Sequence, residues 1–217
     1  MHITRTGGAW CAEQFRASGW AIHSSWDRAL SGDWTRGELS RLIRTEEHGL
    51  LHNHVVNWDA EAVDAAKMHG WRVFTIIRDP RDQLRSVYQF LEGEGARYDL
   101  AADDFVLAQL AGQYHWLDFR HWQIPHYWRS FDTIFVNAPD LYRSLAAFFG
   151  LRGEEIGRRN CSRGTCRLTP STLREIEASP FFSRYLDARR AAGVRGGVEA
   201  RALFGPRPAP PFSGLAP

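Results

Sequence analysis

Residues 73–90 constrain the fold of this chain more than any other stretch. All five residues of Val73–Ile77 are apolar or β-branched without alternation, which is typical of a strand buried on both faces of a parallel sheet. Pro80 fixes φ and disfavours helix in the residue before it, so a tight turn is predicted there. Asp82 is the predicted N-cap of the helix that follows. A strand, a polar turn and a helix in this order predict an α/β protein.

The turn after this strand carries groups that suit a phosphate. Arg78 stands at the carboxyl end of the strand and Ser86 stands within the helix, so both side chains can converge on one anion. A salt-bridged turn without a ligand is the alternative interpretation. The stretch resembles the 3′-phosphate-binding motif of sulfotransferases that use 3′-phosphoadenosine-5′-phosphosulfate (PAPS). In that motif Arg-Asp/Asn-Pro-Arg/Lys-Asp is followed by Ser and by aromatic residues, here Tyr88 and Phe90.

A glycine turn near the N-terminus precedes a predicted helix over residues 9–17 and offers backbone N–H groups to an anion. No Gly-Lys-Ser/Thr follows, which counts against an ATPase or a nucleotide kinase. The turn resembles the sulfotransferase loop that holds the 5′-phosphosulfate. This resemblance implies cofactor contacts from Arg5, Thr6, Gly7, Gly8, Ala9 and Trp10.

Within this loop the resemblance gives Arg5 a catalytic role as well, in stabilising the charge that develops on the leaving oxygens. Trp10 stands at the position that contacts the adenine in cytosolic relatives. Gly8 and Ala9 replace two threonines whose hydroxyl groups normally contact phosphate. The backbone N–H groups remain, but two side-chain donors are lost.

Further strands are predicted over residues 20–23, 50–56 and 131–137, and the end of the strand over residues 50–56 carries a candidate general base. His54 aligns with the histidine of the family's Lys-Thr-His motif, which is the base that removes the acceptor proton. An unperturbed histidine pKa of about 6.5 suits that task at neutral pH. His52, Glu46 and Glu47 are the reserve candidates.

Two later segments complete the resemblance. Arg163 and Gly164 match the Lys-Gly pair of a loop that closes over the 3′-phosphate, although a solvated surface loop is equally compatible with the residues. Thr169 and Pro170 are the predicted N-cap and first residue of a helix. The family's Tyr-Glu-Asp motif is absent and is replaced near residues 136–138.

Length and composition set broad limits on the fold and the location. The 217 residues suit one α/β domain, predicted over residues 1–204, followed by a Pro/Ala-rich disordered tail over residues 205–217. The resemblance implies a central parallel β-sheet flanked by helices, in a P-loop-like sulfotransferase fold. No apolar run spans a bilayer and the N-terminus lacks the core of a signal peptide, which predicts a cytoplasmic protein without a membrane span.

Charge and cysteine content limit the partners. A net charge of +2 fits an anionic ligand and does not call for nucleic acid. Three cysteines do not make a disulfide framework, although Cys161 and Cys166 remain a possible pair. No zinc-type spacing is present, so no metal site is predicted.

The resemblance therefore implies an enzyme that transfers the sulfuryl group of PAPS to a hydroxyl group. Transfer of the sulfuryl group to an amine ranks second to transfer to a hydroxyl group. The acceptor is a small molecule, a lipid or a carbohydrate, and the scheme needs no metal. Two alternatives stay open: a catalytically degenerate nucleotide-binding protein of the same fold, and a P-loop-like phosphotransferase. The sequence sets neither the acceptor nor the oligomeric state.

Overall fold

The chain alternates helices with short strands in a mixed α/β arrangement that is mostly helical. The structure is a computed structural model, and it describes residues 6–24, 35–46, 49–52, 58–93, 100–112, 124–157 and 166–195. No helix within these ranges is long and apolar enough to cross a membrane.

The described part of the chain contains eight α-helices and four strands. The helices are α1 (Gly8–Ala17), α2 (Arg36–Thr45), α3 (Ala60–Met68), α4 (Pro80–Gly93), α5 (Ala102–Leu110), α6 (Leu141–Phe149), α7 (Pro170–Ala178) and α8 (Pro180–Arg195). The strands are β1 (Ile22–Ser24), β2 (Leu50–His52), β3 (Phe74–Ile77) and β4 (Thr133–Val136).

The strands form two small parallel sheets. Strand β1 pairs with β2, and β3 pairs with β4, where Phe74 lies opposite Thr133 and Ile77 opposite Val136. One central sheet flanked by helices was predicted, and the described strands do not confirm it. Strands β2 and β3 share the walls of a narrow cavity without being hydrogen-bonded neighbours. The buried character of a strand in the sequence does not specify which strand lies beside it.

Strand β3 is buried on both faces, as its sequence predicted. All four of its residues are buried. Phe74 and Ile76 pack with α1 and α6 in one apolar cluster, whereas Ile77 packs with α2, α3 and α8 in another. The alternation of side chains along a strand explains this division, since successive residues point to opposite faces.

Helix α4 begins three residues earlier than its expected first residue, so Asp82 as its N-cap is wrong. Pro80 is the first helical residue, and the carboxylate of Asp79 accepts a hydrogen bond from the backbone N–H of Arg81 at 2.9 Å. Asp82 lies inside the first turn and pairs with Arg85. Proline is pre-organised for the first helical position, which places the cap on the residue before it.

Other helix boundaries follow their sequence signals. Helix α1 ends at Ala17, which confirms the predicted end of the helix over residues 9–17. The hydroxyl of Thr169 caps α7 by accepting from the N–H of Thr172, with Pro170 as the first helical residue. Helix α8, which follows α7 almost directly, was not predicted as a separate helix.

Several predictions fall outside the residues that the structure describes. They are residues 53–56 at the end of the strand predicted over residues 50–56, the Cys161 partner of the possible disulfide, and the tail at residues 205–217.

Candidate functional site

The glycine turn at Gly7 and Gly8 and the turn after β3, which begins at Arg78, meet at the carboxyl ends of β3 and β4. Asn137 directly follows β4, and its Nδ2 donates to the carbonyl of Thr6 at 2.8 Å. Its backbone N–H donates to the carbonyl of Ile77 at 2.7 Å, one residue before Arg78. One residue therefore holds both segments that the sequence marked as phosphate-binding. Ligands of open parallel sheets bind at this edge.

Gly7 needs to be glycine at this junction. Its φ is +103°, a left-handed conformation that other residues rarely adopt. A Cβ atom on Gly7 would lie 3.3 Å from Nδ2 of Asn137, which is a tight contact. The turn therefore depends both on the backbone freedom of glycine and on its lack of a side chain.

The turn leads into an open helix N-terminus. Gly7 is the N-cap of α1 and supplies no side-chain hydrogen bond to its first turn, which also contains no acidic residue. The first N–H groups of a helix lack intrahelical partners and carry the positive end of the helix dipole. At α1 this field is not neutralised from within the helix, so it favours an anion.

We expect Gly7→Ala to lower the free energy of unfolding by about 2 kcal/mol, since a left-handed backbone conformation and the contact with Asn137 both oppose the methyl group. Gly19→Ala is the matched control. Gly19 follows the other end of α1 with a φ of +83°, and its Cβ would meet nothing within 4 Å. Urea unfolding should show the larger loss for Gly7→Ala; equal losses would mean that the Asn137 contact has no cost.

A narrow cavity brings a histidine to the glycine turn. Thr6, Gly8 and His52 line it together with apolar residues of β2 and β3. Thr6 is 1% exposed and His52 is 7% exposed. His52 ends β2, so this reserve candidate for the general base lies at the same edge as the glycine turn.

Arg78 and Ser86 lie on the two sides of the turn after β3. Arg78 is half-buried and follows the last residue of the strand. Ser86 lies within α4 and is 4% exposed, and Gln83, one helical turn before it, is 2% exposed. Two buried polar residues three positions apart share one helix face, so α4 buries polar groups on this face.

Arg81, also in the turn motif, is engaged by carboxylates. Its Nε donates to Oδ1 of Asp79 at 2.9 Å and its Nη2 to Oδ2 at 2.6 Å. Its Nη1 donates to Oε1 of Glu177, on α7, at 2.8 Å. The salt-bridged turn considered as an alternative for the motif is thus present, and it is formed by Arg81.

The electrostatics of this turn keep Asp79 ionised. Burial alone would raise the pKa of Asp79, but the hydrogen bonds and charge of Arg81 and the charge of Arg189 outweigh it and hold the pKa below its ordinary value. The carboxylate therefore stabilises the fold above its unfolded-state pKa. That contribution is lost only as the pH falls through the lower folded-state value.

Trp10 is part of the core. It is 8% exposed, and its Nε1 donates to the carbonyl of Ile156 at 2.8 Å. Gln14 exchanges two hydrogen bonds of 3.1 Å with the backbone of the same residue. Trp10 therefore helps to fasten the segment after α6 onto α1, and a contact of its ring with adenine stays a prediction.

Four of the predicted site residues fall outside the described ranges: Arg5, His54, Arg163 and Gly164. The structure does place Thr6, Gly7, Gly8, Ala9 and Trp10 at the start of α1, with Arg78 and Ser86 about the turn that follows β3. His54 is two residues beyond the end of β2 in the sequence.

Sequence reasoning missed Asn137 and Gln83. Asn137 had a detectable signal, because it directly follows a buried strand, as Arg78 does. Polar residues after parallel strands share one edge of a sheet. Gln83 had a weaker signal, its spacing of three residues from Ser86.

Within the described ranges, histidine, cysteine and carboxylate side chains form no group of three or more that could hold a metal ion. No protein-family model, curated protein or solved structure matches this chain.

Proposed function

We propose that this chain is a PAPS-dependent sulfotransferase that acts at the carboxyl ends of β3 and β4. The observation that carries the proposal is the double hydrogen bonding of Asn137, to Thr6 in the glycine turn and to Ile77 beside Arg78. A nucleotide with a 5′-phosphosulfate and a 3′-phosphate needs two anion sites close together. This edge supplies two such segments in fixed relation to each other.

The residues present fit such a co-substrate. The uncapped N-terminus of α1 offers backbone donors to the 5′-phosphosulfate, and Arg78 and Ser86 offer a guanidinium and a hydroxyl group to the 3′-phosphate. The family resemblance assigns Arg5 and Thr6 to the first site and Arg163 and Gly164 to the second. Binding at the 3′-phosphate contributes orientation, since no bond at that group changes.

In the proposed reaction His54 accepts the proton of the acceptor hydroxyl group. The acceptor oxygen forms a bond to sulfur while the bond from sulfur to the 5′-phosphate oxygen breaks, and the electron pair of that bond stays on the 5′-phosphate. Arg5 and the N–H groups of Gly7 and Gly8 stabilise the developing negative charge. The products are a sulfate ester, 3′-phosphoadenosine 5′-phosphate and a proton.

Calorimetric titration with 3′-phosphoadenosine 5′-phosphate tests the donor site, with AMP and ATP as controls. We expect micromolar affinity that depends on the 3′-phosphate. Affinity that is equal for AMP would contradict the proposal, and metal-dependent ATP binding would favour a phosphotransferase.

Turnover is then measured with PAPS and a panel of phenols, alcohols, sugars and amines, by release of 3′-phosphoadenosine 5′-phosphate. Release that depends on one acceptor class supports the enzyme. Donor binding without release across the whole panel would indicate a nucleotide-binding protein without catalysis.

A further inference from the structure

The guanidinium of Arg81 contacts residues of three helices, although its side chain is 38% exposed. It donates to Asp79 at the start of α4 through two nitrogens and to Glu177 on α7 through the third. Its carbon Cζ lies 5.4 Å from the centre of the Phe182 ring on α8. Each nitrogen of the guanidinium thus has a carboxylate partner, which makes Arg81 a poor direct ligand for a phosphate.

The contacts of Arg81 fix how α4 leaves β3. Asp79 accepts the backbone N–H of Arg81 on its carboxylate and the N–H of Gln83 on its carbonyl, at 2.9 and 2.8 Å. On the other side, Ile77 is fixed to β4 by the N–H of Asn137. Arg78 lies between these two fixed residues, so its backbone position is set from both sides.

Glu177 extends this arrangement to α7. The N-cap of α7, Thr169, donates its backbone N–H to the carboxylate of Asp103 on α5 at 2.9 Å. Helix α7 is therefore tied near its first turn to α5 and near its last turn to α4. Through Arg81, the start of α4 takes its orientation from α7 as well as from its own strand.

We propose that Arg81 is a positioning residue that sets the 3′-phosphate selectivity of the site by fixing Arg78 and Ser86 relative to each other. This inference rests on the proposed function. Arg81 does not touch the phosphate. It holds the first turn of α4 in place, so that the guanidinium of Arg78 and the hydroxyl group of Ser86 contact the same anion.

The test measures by calorimetry the ratio of the affinity for 3′-phosphoadenosine 5′-phosphate to the affinity for AMP. It compares this ratio between the wild-type full chain and the variants Arg81→Ala, Arg81→Lys and Glu177→Gln. Arg190→Ala is the matched control, because Arg190 forms a 2.6 Å pair with Asp187 on the exposed surface of α8. We expect Arg81→Ala to lower the ratio roughly tenfold, chiefly through the 3′-phosphorylated nucleotide. Arg190→Ala should leave the ratio unchanged.

Arg81→Lys and Glu177→Gln, which change the ion pair less, distinguish a positioning role of Arg81 from a role in folding alone. A lysine at position 81 keeps one positive charge but cannot bridge both carboxylates in the geometry of arginine, so it should restore the ratio only in part. Glu177→Gln keeps the shape of the partner and should lower the ratio less than Arg81→Ala does. It also provides the measurement if Arg81→Ala fails to fold.

The outcomes also distinguish this inference from the proposed function. A wild-type chain that shows no preference for the 3′-phosphate overturns the proposed function and the positioning role with it. A wild-type preference that survives unchanged in Arg81→Ala and Glu177→Gln, alongside a lower melting temperature, overturns the positioning role alone. Arg81 would then only stabilise the packing of α4 against α7.

Discussion

Arg78→Ala should bind 3′-phosphoadenosine 5′-phosphate roughly 100-fold more weakly than the wild-type chain, while its affinity for AMP changes by less than about threefold. A guanidinium that forms charge-assisted hydrogen bonds to a phosphate contributes up to about 3 kcal/mol, and AMP lacks the phosphate that Arg78 is proposed to hold. Calorimetric titration with both nucleotides measures the two losses separately.

Arg72→Ala is the matched control for that experiment. Arg72 precedes β3 where Arg78 follows it, and its guanidinium lies 5.6 Å from the centre of the Phe148 ring. The substitution Arg72→Ala therefore removes the same charge as Arg78→Ala, from the opposite end of the same strand. Equal losses of affinity for both nucleotides in Arg78→Ala, or a similar loss in Arg72→Ala, would show that Arg78 does not bind the 3′-phosphate.

His54→Ala should lower turnover by a factor of roughly 100 to 10,000, the usual contribution of a general base, and leave donor affinity nearly unchanged. The histidine is proposed to act on the acceptor proton and not on the nucleotide. Turnover is measured with the best acceptor from the panel, over a range of pH and with added imidazole. Rescue by imidazole would show that the lost group is a base.

His52→Ala is the companion variant, since His52 ends β2 beside Thr6 and Gly8. Because its side chain is buried in that cavity, we expect its loss to affect stability and donor affinity more than the chemical step. Full activity of His54→Ala together with loss of turnover in His52→Ala would move the base to His52. Full activity in both variants would exclude His54 and His52 as the general base.

Local sequence signals were sufficient for several of the individual elements, although helix α8 was not predicted. The unbroken apolar run gave β3 with both faces buried, and Thr169 with Pro170 gave the start of α7. The cap of α4 was assigned to the wrong aspartate, because two candidates stood on either side of Pro80. The preference of proline for the first helical position selects Asp79.

The arrangement of the strands was less accessible from the sequence. Four strands were recognised, but the prediction of one central sheet is not confirmed by the two separate pairs of the described strands. An apolar run predicts burial, while its neighbours in the sheet depend on crossovers between distant segments. Strands of three or four residues carry little information about their register.

For the candidate site, the sequence by itself determined the chemistry of the groups: a glycine turn before a helix, a guanidinium after a buried strand and a hydroxyl group within the next helix. Only the tertiary structure decided how these groups are assembled. Asn137 bonds Thr6 across 131 positions of sequence, and Arg81 bonds Glu177 across 96. Local propensities act over a few residues, whereas such contacts exist only once packing of the whole chain has brought the elements together.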